Sequence, residues 1–274
     1  MPDKQKMRAD LALVARGLAP SRERAQAMIM AGDVYLDEVQ VRKASVPVED
    51  TANLIVRQPK LTFVSRGALK LQKGLQVFGV DPAGVVAMDI GASTGGFTDV
   101  LLQNGAVHVY AIDVGYGQLD WKIRNDPRVT VMERTNARYL TPADLPLHPT
   151  LGVMDVSFIS ITKILPAAFT ILGDEGQMIT LIKPQFEAGR DRVGKKGVVR
   201  DAAVHEDVIR EVLTFLETET EWHCKALSFS PIRGPEGNIE FLAYLLPGTG
   251  GIGHQDEIIT RIVDEAHQAL EKEA

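Results

Sequence analysis

Residues 88–102 read MDIGASTGGFTDVLL. The apolar run that leads into them, GVVAMDIG (84–91), is expected to be a buried strand. The residues that follow, GGFTDVLLQNG (95–105), carry apolar positions at helical spacing and end in a glycine. Gly91, Gly95 and Gly96 therefore fall in a turn between a strand and a helix, with Ser93 inside it. Glycines there let the backbone turn tightly and approach a ligand closely. Asp113 ends the next expected strand, 22 residues after Gly91. An acid at that place can accept hydrogen bonds from ribose hydroxyls. The spacing is G-x-x-x-G-G and departs from the G-x-G-x-x-G of dinucleotide-binding turns, which makes a pyrophosphate cradle a poor fit. S-adenosylmethionine, a nucleoside cofactor without phosphates, needs only the glycine approach and the ribose acid. A nicotinamide or flavin cofactor, or a tight turn with no ligand, are the other readings. Phe97 can pack near such a cofactor. Asn136 and Ala137, in ERTNARYL (133–140), follow the third strand where an adenine edge would lie, although Asn in a turn is also ordinary turn chemistry.

Outward from this turn, strands and helices alternate. VHVYAIDVG, RVTVME, TLGVMDV and GQMITLIK read as strands. SRGALKLQKGLQVFGV, LDWKIRND, ISITKILPAAFTIL and AAVHEDVIREVLTFLETE read as helices, WHCKALSFSP and NIEFLAYLL close the sheet, and the tail is a final acidic helix. This alternation predicts an α/β domain, a mostly parallel sheet with helices on both faces. In such sheets ligands sit outside the carboxyl ends of the strands. Asp155 ends the fourth strand and Lys183 the fifth, so both are expected at that crevice. Lys70 lies on the helix before the first strand, and Glu240 opens the last strand between Ile239 and Phe241.

A lysine at the end of a buried strand is costly unless its charge is used. One reading of Lys70, Asp155, Lys183 and Glu240 is an ion-pair network that only holds the fold. The other is catalytic. A ribose hydroxyl is a weak acid, and a positioned lysine can take its proton or stabilise the developing oxyanion. Neighbouring charges would tune Lys183, and positioning with electrostatics needs no metal. Other methyl acceptors fit less well. Amino methylation usually comes with an Asn/Asp-Pro-Pro-aromatic run after the fourth strand, where this chain has DVSF. Methylation at pyrimidine carbon usually needs a cysteine near that strand, and Cys224 lies well outside it.

The chain has 274 residues and a net charge of −6, unevenly spread. Residues 1–66 carry 11 Lys and Arg against 8 Asp and Glu, the remainder 19 against 28. A mildly basic first module thus precedes an acidic body. Within it, 7–17 reads as a short helix, SRERAQAMIMAG as a second, and DVYLDEVQVRKASVPV as small strands. Arg8, Arg16, Arg22 and Arg24 cluster in the two helices, with Arg42 and Lys43 on the following turn. Such residues contact phosphates and position a folded RNA, or simply solvate a helical face. The loop RDRVGKKGVVRD (190–201) is a second candidate RNA contact or an ordinary exposed loop. The single cysteine rules out an internal disulfide and a Cys-rich zinc site. The chain shows no apolar h-region at its start and no membrane-length apolar run, which predicts a cytoplasmic protein without a membrane partner.

GASTGGFTDVLLQ, VMDVSFIS, LIKPQFEAGR with KKGVVRD, and GNIEFL resemble the TlyA family of hemolysin-like ribosomal RNA 2′-O-methyltransferases. The stretch MRADLALVARGLAPSRERAQAMIMAGDVYLDEVQVRKASVPV is similar to an S4 RNA-binding domain. The resemblance implies an S4-like α+β domain at 1–60, a linker at 61–66, and an FtsJ-like domain at 67–274. The latter would be Rossmann-like, S-adenosylmethionine-dependent, and built on a mostly parallel seven-stranded sheet. It implies that Lys70, Asp155, Lys183 and Glu240 form the family's catalytic tetrad, and that Gly91, Ser93, Gly95, Gly96, Phe97, Asp113, Asn136, Ala137 and Asp155 bind the cofactor. It also implies cytidine 2′-O-methylation of small- and large-subunit ribosomal RNA (16S and/or 23S), members differing in which subunits they modify, with ribosomal subunits as partners and no metal. Three alternatives stand beside it: an assembly factor with a silent methyltransferase fold, a pore-forming hemolysin, and a nicotinamide oxidoreductase. An intact turn and tetrad speak against the first, the absence of membrane-length segments against the second, and the glycine spacing against the third.

Overall fold

The structure is a computed structural model of the chain, and it describes residues 6–19, 21–30, 33–49, 51–56, 63–194, 197–252 and 256–271. Contacts divide the chain into two units, Met1–Thr62 and Phe63–Ala274.

In the smaller unit, strand β1 (Lys6–Arg8) leads directly into helix α1 (Ala9–Ala15), and α2 (Arg22–Met30) follows. Strand β2 (Val34–Leu36) pairs antiparallel with β3 (Val39–Gln40) through a two-residue turn at Asp37 and Glu38, both at positive φ. Paired left-handed residues give the turn a twist that matches the strands it joins. Strand β4 (Pro47–Glu49) pairs with β1, and β5 (Leu54–Val56) with the other side of β2. Ala9, Leu13, Ala25, Ile29 and Val34 form the core. Met7 and Arg8, expected inside the first helix, are strand, because their backbone pairs with Val48 and Pro47. The buried helical stripe starts only at Ala9.

In the larger unit, helix α3 (Ala68–Phe78) stops at Gly79, whose left-handed backbone caps it. Strand β6 (Val86–Ile90), helix α4 (Gly96–Gln103), β7 (His108–Ile112), the short α5 (Trp121–Arg124) and β8 (Val129–Met132) follow. After β9 (Leu151–Met154) come α6 (Leu165–Leu172), β10 (Gln177–Ile182) and α7 (Pro184–Glu187). Helix α8 (Ala202–Glu219), β11 (Trp222–Phe229), β12 (Phe241–Pro247) and α9 (Asp256–Glu271) complete it. The strands form a seven-stranded sheet in the order β11-β12-β10-β9-β6-β7-β8. Strands β10, β9, β6, β7 and β8 run parallel, while β12 is antiparallel to both its neighbours.

The central strands are almost wholly apolar and buried, as a sheet covered on both faces requires. Leu71, Val100, Leu101 and Ile123 cover one face. Leu165, Ile171, Val208, Leu213 and Val263 cover the other. The helix expected over 159–172 is broken: a 3-10 turn at Ile161–Lys163, capped by Ser160, precedes α6. Pro166 in the first turn of α6 accounts for the break: it has no N–H to donate to the carbonyl four residues back, at Thr162, and its ring crowds that carbonyl.

The geometry that matters lies at β6. Chain order runs outward from it in both directions, through β7 on one side and β9 on the other. The carboxyl ends of the two neighbours therefore splay around β6 and open a crevice at this switch point.

Candidate active site

The turn after β6 closes on itself. Gly91 sits at φ 86°, and a Cβ there would lie 2.6 Å from the Asp155 carbonyl oxygen. Only glycine lets the ends of β6 and β9 pass this closely. The backbone N–H of Ser93 donates to Asp113 Oδ2 (2.8 Å), and that of Gly115 to Asp113 Oδ1 (2.7 Å). The acid beyond β7 is thus fixed by two main-chain donors, and each oxygen keeps a lone pair for a ligand. A cleft of about 470 Å³ opens beside it. Its walls include Ile90, Ile112, Val156 and Ile164, and its polar rim includes Ser93, Asp113, Asn136, Asp155 and Ser157. Apolar walls suit a purine, the Asp113 carboxylate suits a ribose diol, and Asp155 suits a positive centre.

The charged residues form one continuous row. Lys70 Nζ lies 3.1 Å from Asp155 Oδ2 and 2.6 Å from Glu240 Oε2. Lys183 Nζ pairs with the other Asp155 oxygen and donates to Ser157 Oγ at 3.1 Å. Four different elements supply these groups: α3, the ends of β9 and β10, and the residue before β12. Lys70, Lys183 and Glu240 are buried, and Asp155 faces the cleft. Burial works against the charge of Lys70, but Asp155 and Glu240 outweigh it and hold its ammonium above the ordinary lysine value. Glu240 Oε1 is buried without a hydrogen-bond partner.

Gly91, Ser93, Asp113, Asn136, Ala137 and Asp155 all line the cleft. Gly95, Gly96 and Phe97 are not among its lining residues. A Cβ at Gly95 would meet Leu119 Cδ1 at 2.9 Å, and one at Gly96 would overlap Ser65 Oγ. These two glycines serve helix packing, and Phe97 is buried in the core under α4. Among the basic residues of the smaller unit, Arg8, Arg22, Arg42 and Lys43 are exposed. Arg16 instead donates to the carbonyls of Ala52 (2.7 Å) and Glu49 (2.9 Å) and ties α1 to the β4–β5 loop. The Arg24 side chain lies outside the described residues. In the 190–201 loop, Lys195 and Lys196 also lie outside them, while Arg192 is paired with Glu211 at 2.7 Å.

Sequence reasoning missed three groups. Ser157 holds Lys183, a role that the serine of DVSF does not advertise. Phe158 sits at φ 66° with its ring 92% exposed, 5.2 Å from Phe186. Left-handed backbone is strained for an aromatic residue, and Phe158 also lines the cleft. Asp89 is fully buried on β6, accepts from Thr98 Oγ1 at 2.7 Å, and has an unpartnered Oδ1. Burial, only partly offset by Thr98, pushes its carboxyl up to about 7. The acid in an otherwise apolar VAMDI was the available signal.

A sheet in this order, with a glycine turn and a fixed acid at the switch point, defines the Rossmann-like fold of the S-adenosylmethionine-dependent methyltransferases. Residues 63–246 match the FtsJ-like methyltransferase family and residues 7–53 the S4 domain. The chain is 51% identical over 272 residues to a Bacillus subtilis (strain 168) protein provisionally described as the rRNA methyltransferase YqxC, covering 98% of this chain and 96% of that one. It is 46% identical over 244 residues to the 16S/23S rRNA (cytidine-2′-O)-methyltransferase TlyA of Mycobacterium tuberculosis (strain ATCC 25618 / H37Rv), covering 88% and 90%. A solved structure from Streptococcus thermophilus, provisionally described as a hemolysin, superposes with a TM-score of 0.78 at 44% identity over 99% of both chains. The chain belongs to the FtsJ-like methyltransferases, in the TlyA group that carries an S4 domain. Among the described residues no helix is long and apolar enough to cross a membrane, and no His, Cys, Asp and Glu cluster could hold a metal ion.

Proposed function

We propose that this protein transfers a methyl group from S-adenosylmethionine to the 2′-hydroxyl of a cytidine in ribosomal RNA. The carrying observation is the row Lys183–Asp155–Lys70–Glu240, which meets the nucleoside-sized cleft at Asp155. The TlyA relative bears the name of an enzyme with this activity on 16S and 23S rRNA. The cofactor supplies an electrophilic methyl group when bound, with Gly91, Ser93, Asp113, Asn136, Ala137 and Asp155 as the residues to hold it.

The chain's own residues do the rest. Lys183 lies beside the cleft, against Asp155 and Ser157 of its lining. Asp155 and Ser157 hold its amine in one orientation, so that its remaining position serves the ribose hydroxyl. As the neutral amine it would take the proton of that hydroxyl; as the ammonium it would shield the developing oxyanion. Lys70, kept charged between two carboxylates, fixes Asp155 and balances the row. In the smaller unit, Arg8, Arg22, Arg42 and Lys43 grip RNA phosphates and set register without reading bases. Purified protein with labelled S-adenosylmethionine should methylate small or large ribosomal subunits, at a single mapped cytidine 2′-oxygen. Methyl transfer to a base atom would overturn the reading. Binding of subunits without any transfer would favour an assembly factor with a silent fold.

A further inference from the structure

The smaller unit buries one carboxylate under two arginines. Asp10, in the first turn of α1, is 0% exposed. Its oxygens accept from Arg8 Nε (2.9 Å) and Nη2 (3.1 Å), from Arg22 Nε (3.0 Å), from Gln26 Nε2 (2.9 Å) and from the Leu11 backbone N–H (3.1 Å). The Arg8 guanidinium, against the cost of burial and together with Gln26 and Arg22, holds the Asp10 carboxyl well below the usual carboxylate range.

An ion pair built only for stability needs one cation per anion. Here two guanidiniums converge on one carboxylate, which leaves a local charge of +1. Both arginine side chains remain about half exposed, at 45% and 52%. Arg8 spends its Nε–Nη2 edge on Asp10 and Arg22 its Nε–H, and a guanidinium carries five N–H donors in a rigid plane. Arg8 closes β1 and Arg22 opens α2, so the two come from separate elements and Asp10 bridges them. Free arginines would lose considerable side-chain entropy on gripping a ligand, and two tethered ones have already lost it. Fixed, adjacent, partly exposed guanidiniums with excess positive charge match the planar, bidentate demands of a phosphodiester.

We propose that Asp10 is a positioning residue that assembles Arg8 and Arg22 into a preformed grip for an RNA backbone phosphate. The proposal deepens the RNA-binding part of the function above and rests on it. Asp10 touches no RNA itself. Its effect is transmitted through the two guanidiniums.

The idea makes an unusual sign prediction. Removing an anion from an RNA-binding surface should tighten binding if only net charge matters. If Asp10 positions the arginines, Asp10→Asn weakens binding instead, by about tenfold, the loss of one charge-assisted contact. The measurement is a titration of purified small and large ribosomal subunits with the full-length protein across a salt series, with thermal melting as a check on folding. Arg8→Gln/Arg22→Gln serves as the second variant. It should lower the magnitude of the slope of log affinity against log salt by about one to two, one phosphate contact per arginine at most. Arg8→Lys, a point charge in place of the fork, should restore the slope of the single site but little of the affinity. Equal or tighter binding by folded Asp10→Asn overturns the proposal. So does an unchanged salt slope in the double variant, even where Asp10→Asn does not fold. Methyl transfer recorded on the same samples separates the two readings. Salt-dependent binding with no transfer by wild type sinks the proposed activity and leaves the phosphate grip standing.

Discussion

Lys70 Nζ lies between two carboxylates, 3.1 Å from Asp155 Oδ2 and 2.6 Å from Glu240 Oε2. Glu240 is 1% exposed and stands directly before β12, the antiparallel strand beside β10. Lys70 is therefore the cation that makes a buried Glu240 tolerable. Its removal leaves an unpaired charge in a low-dielectric site. Lys70→Met is expected to destabilise the larger unit by about 3–5 kcal/mol. Lys70→Met/Glu240→Leu should recover most of that loss in a urea melt while methyl transfer stays abolished. Recovery of activity along with stability would reduce the pair to a fold-holding role.

Lys183 can act as a base or as a fixed cation, and two substitutions separate these roles. Lys183→Ala is expected to cut methyl transfer by about 10²–10⁴-fold, the usual worth of a proton-transfer group. Its cofactor affinity, read by calorimetry, should stay near wild type. Lys183→Arg keeps a charge that cannot be deprotonated in a protein. If it is as inactive as Lys183→Ala, Lys183 takes the proton. Substantial residual rate would assign it to the oxyanion.

The glycine pair of the turn is expected to respond through packing before chemistry. A Cβ at Gly96 would overlap Ser65 Oγ and sit 3.1 Å from the Ala68 backbone nitrogen. Gly96→Ala should lower the melting temperature, with a cost of about 1–3 kcal/mol as for other overpacked sites. Ser65→Ala in the same chain should return part of the loss. Loss of cofactor affinity at unchanged stability would instead place Gly96 at the ligand.

Two buried groups oppose each other between pH 4 and 7. His205 is fully buried; because the Val199 carbonyl can only accept, its Nε2 carries the hydrogen and its Nδ1 accepts from His267 Nε2 at 3.0 Å. Burial, then His267, brings its pKa down to about 4. The unfolded chain protonates first, so His205 removes stability as pH falls from about 6.5 towards 4. Asp89, pushed up to about 7, holds its proton in the folded state first. It adds stability as pH falls from about 7 towards 4 and costs stability above 7. Each effect has a ceiling of about 3–4 kcal/mol, so their sum is muted. Asp89→Asn should therefore make the protein more acid-sensitive than wild type in denaturant titrations at pH 4.5 and 7.5. His205→Gln should make it less so. Parallel pH profiles for all three proteins would contradict the burial argument.

Much of the architecture is legible in the chain. Buried parallel strands show as continuous apolar runs, and MDIGASTGGFTDVLL carries the strand, turn and helix of the cofactor side in order. Asp155 and Lys183 both terminate such runs, where a charge has few other reasons to be; the fold pairs them, and Asp155 lines the cleft. Lys70 and Glu240 were named by residue type and pattern, and their contact with Asp155 and with each other needed the fold.

What stayed hidden depends on which atoms meet across long sequence separations. The glycines of one turn split into different duties. Gly91 passes under Asp155, while Gly95 and Gly96 make room for Leu119 and Ser65. Spacing alone cannot tell a ligand's approach from a helix's. Arg16 and Arg8 read alike in sequence, yet one is spent on carbonyls and the other is paired with a buried acid. Ser157 becomes part of the site only because β9 and β10 end side by side. The sequence by itself determined the order of strands and helices and the charges available at their ends, because hydrophobic period and strand termini are local. Only the tertiary structure decided which charge faces which, because pairing depends on the sheet order that brings α3, β9, β10 and β12 to one point.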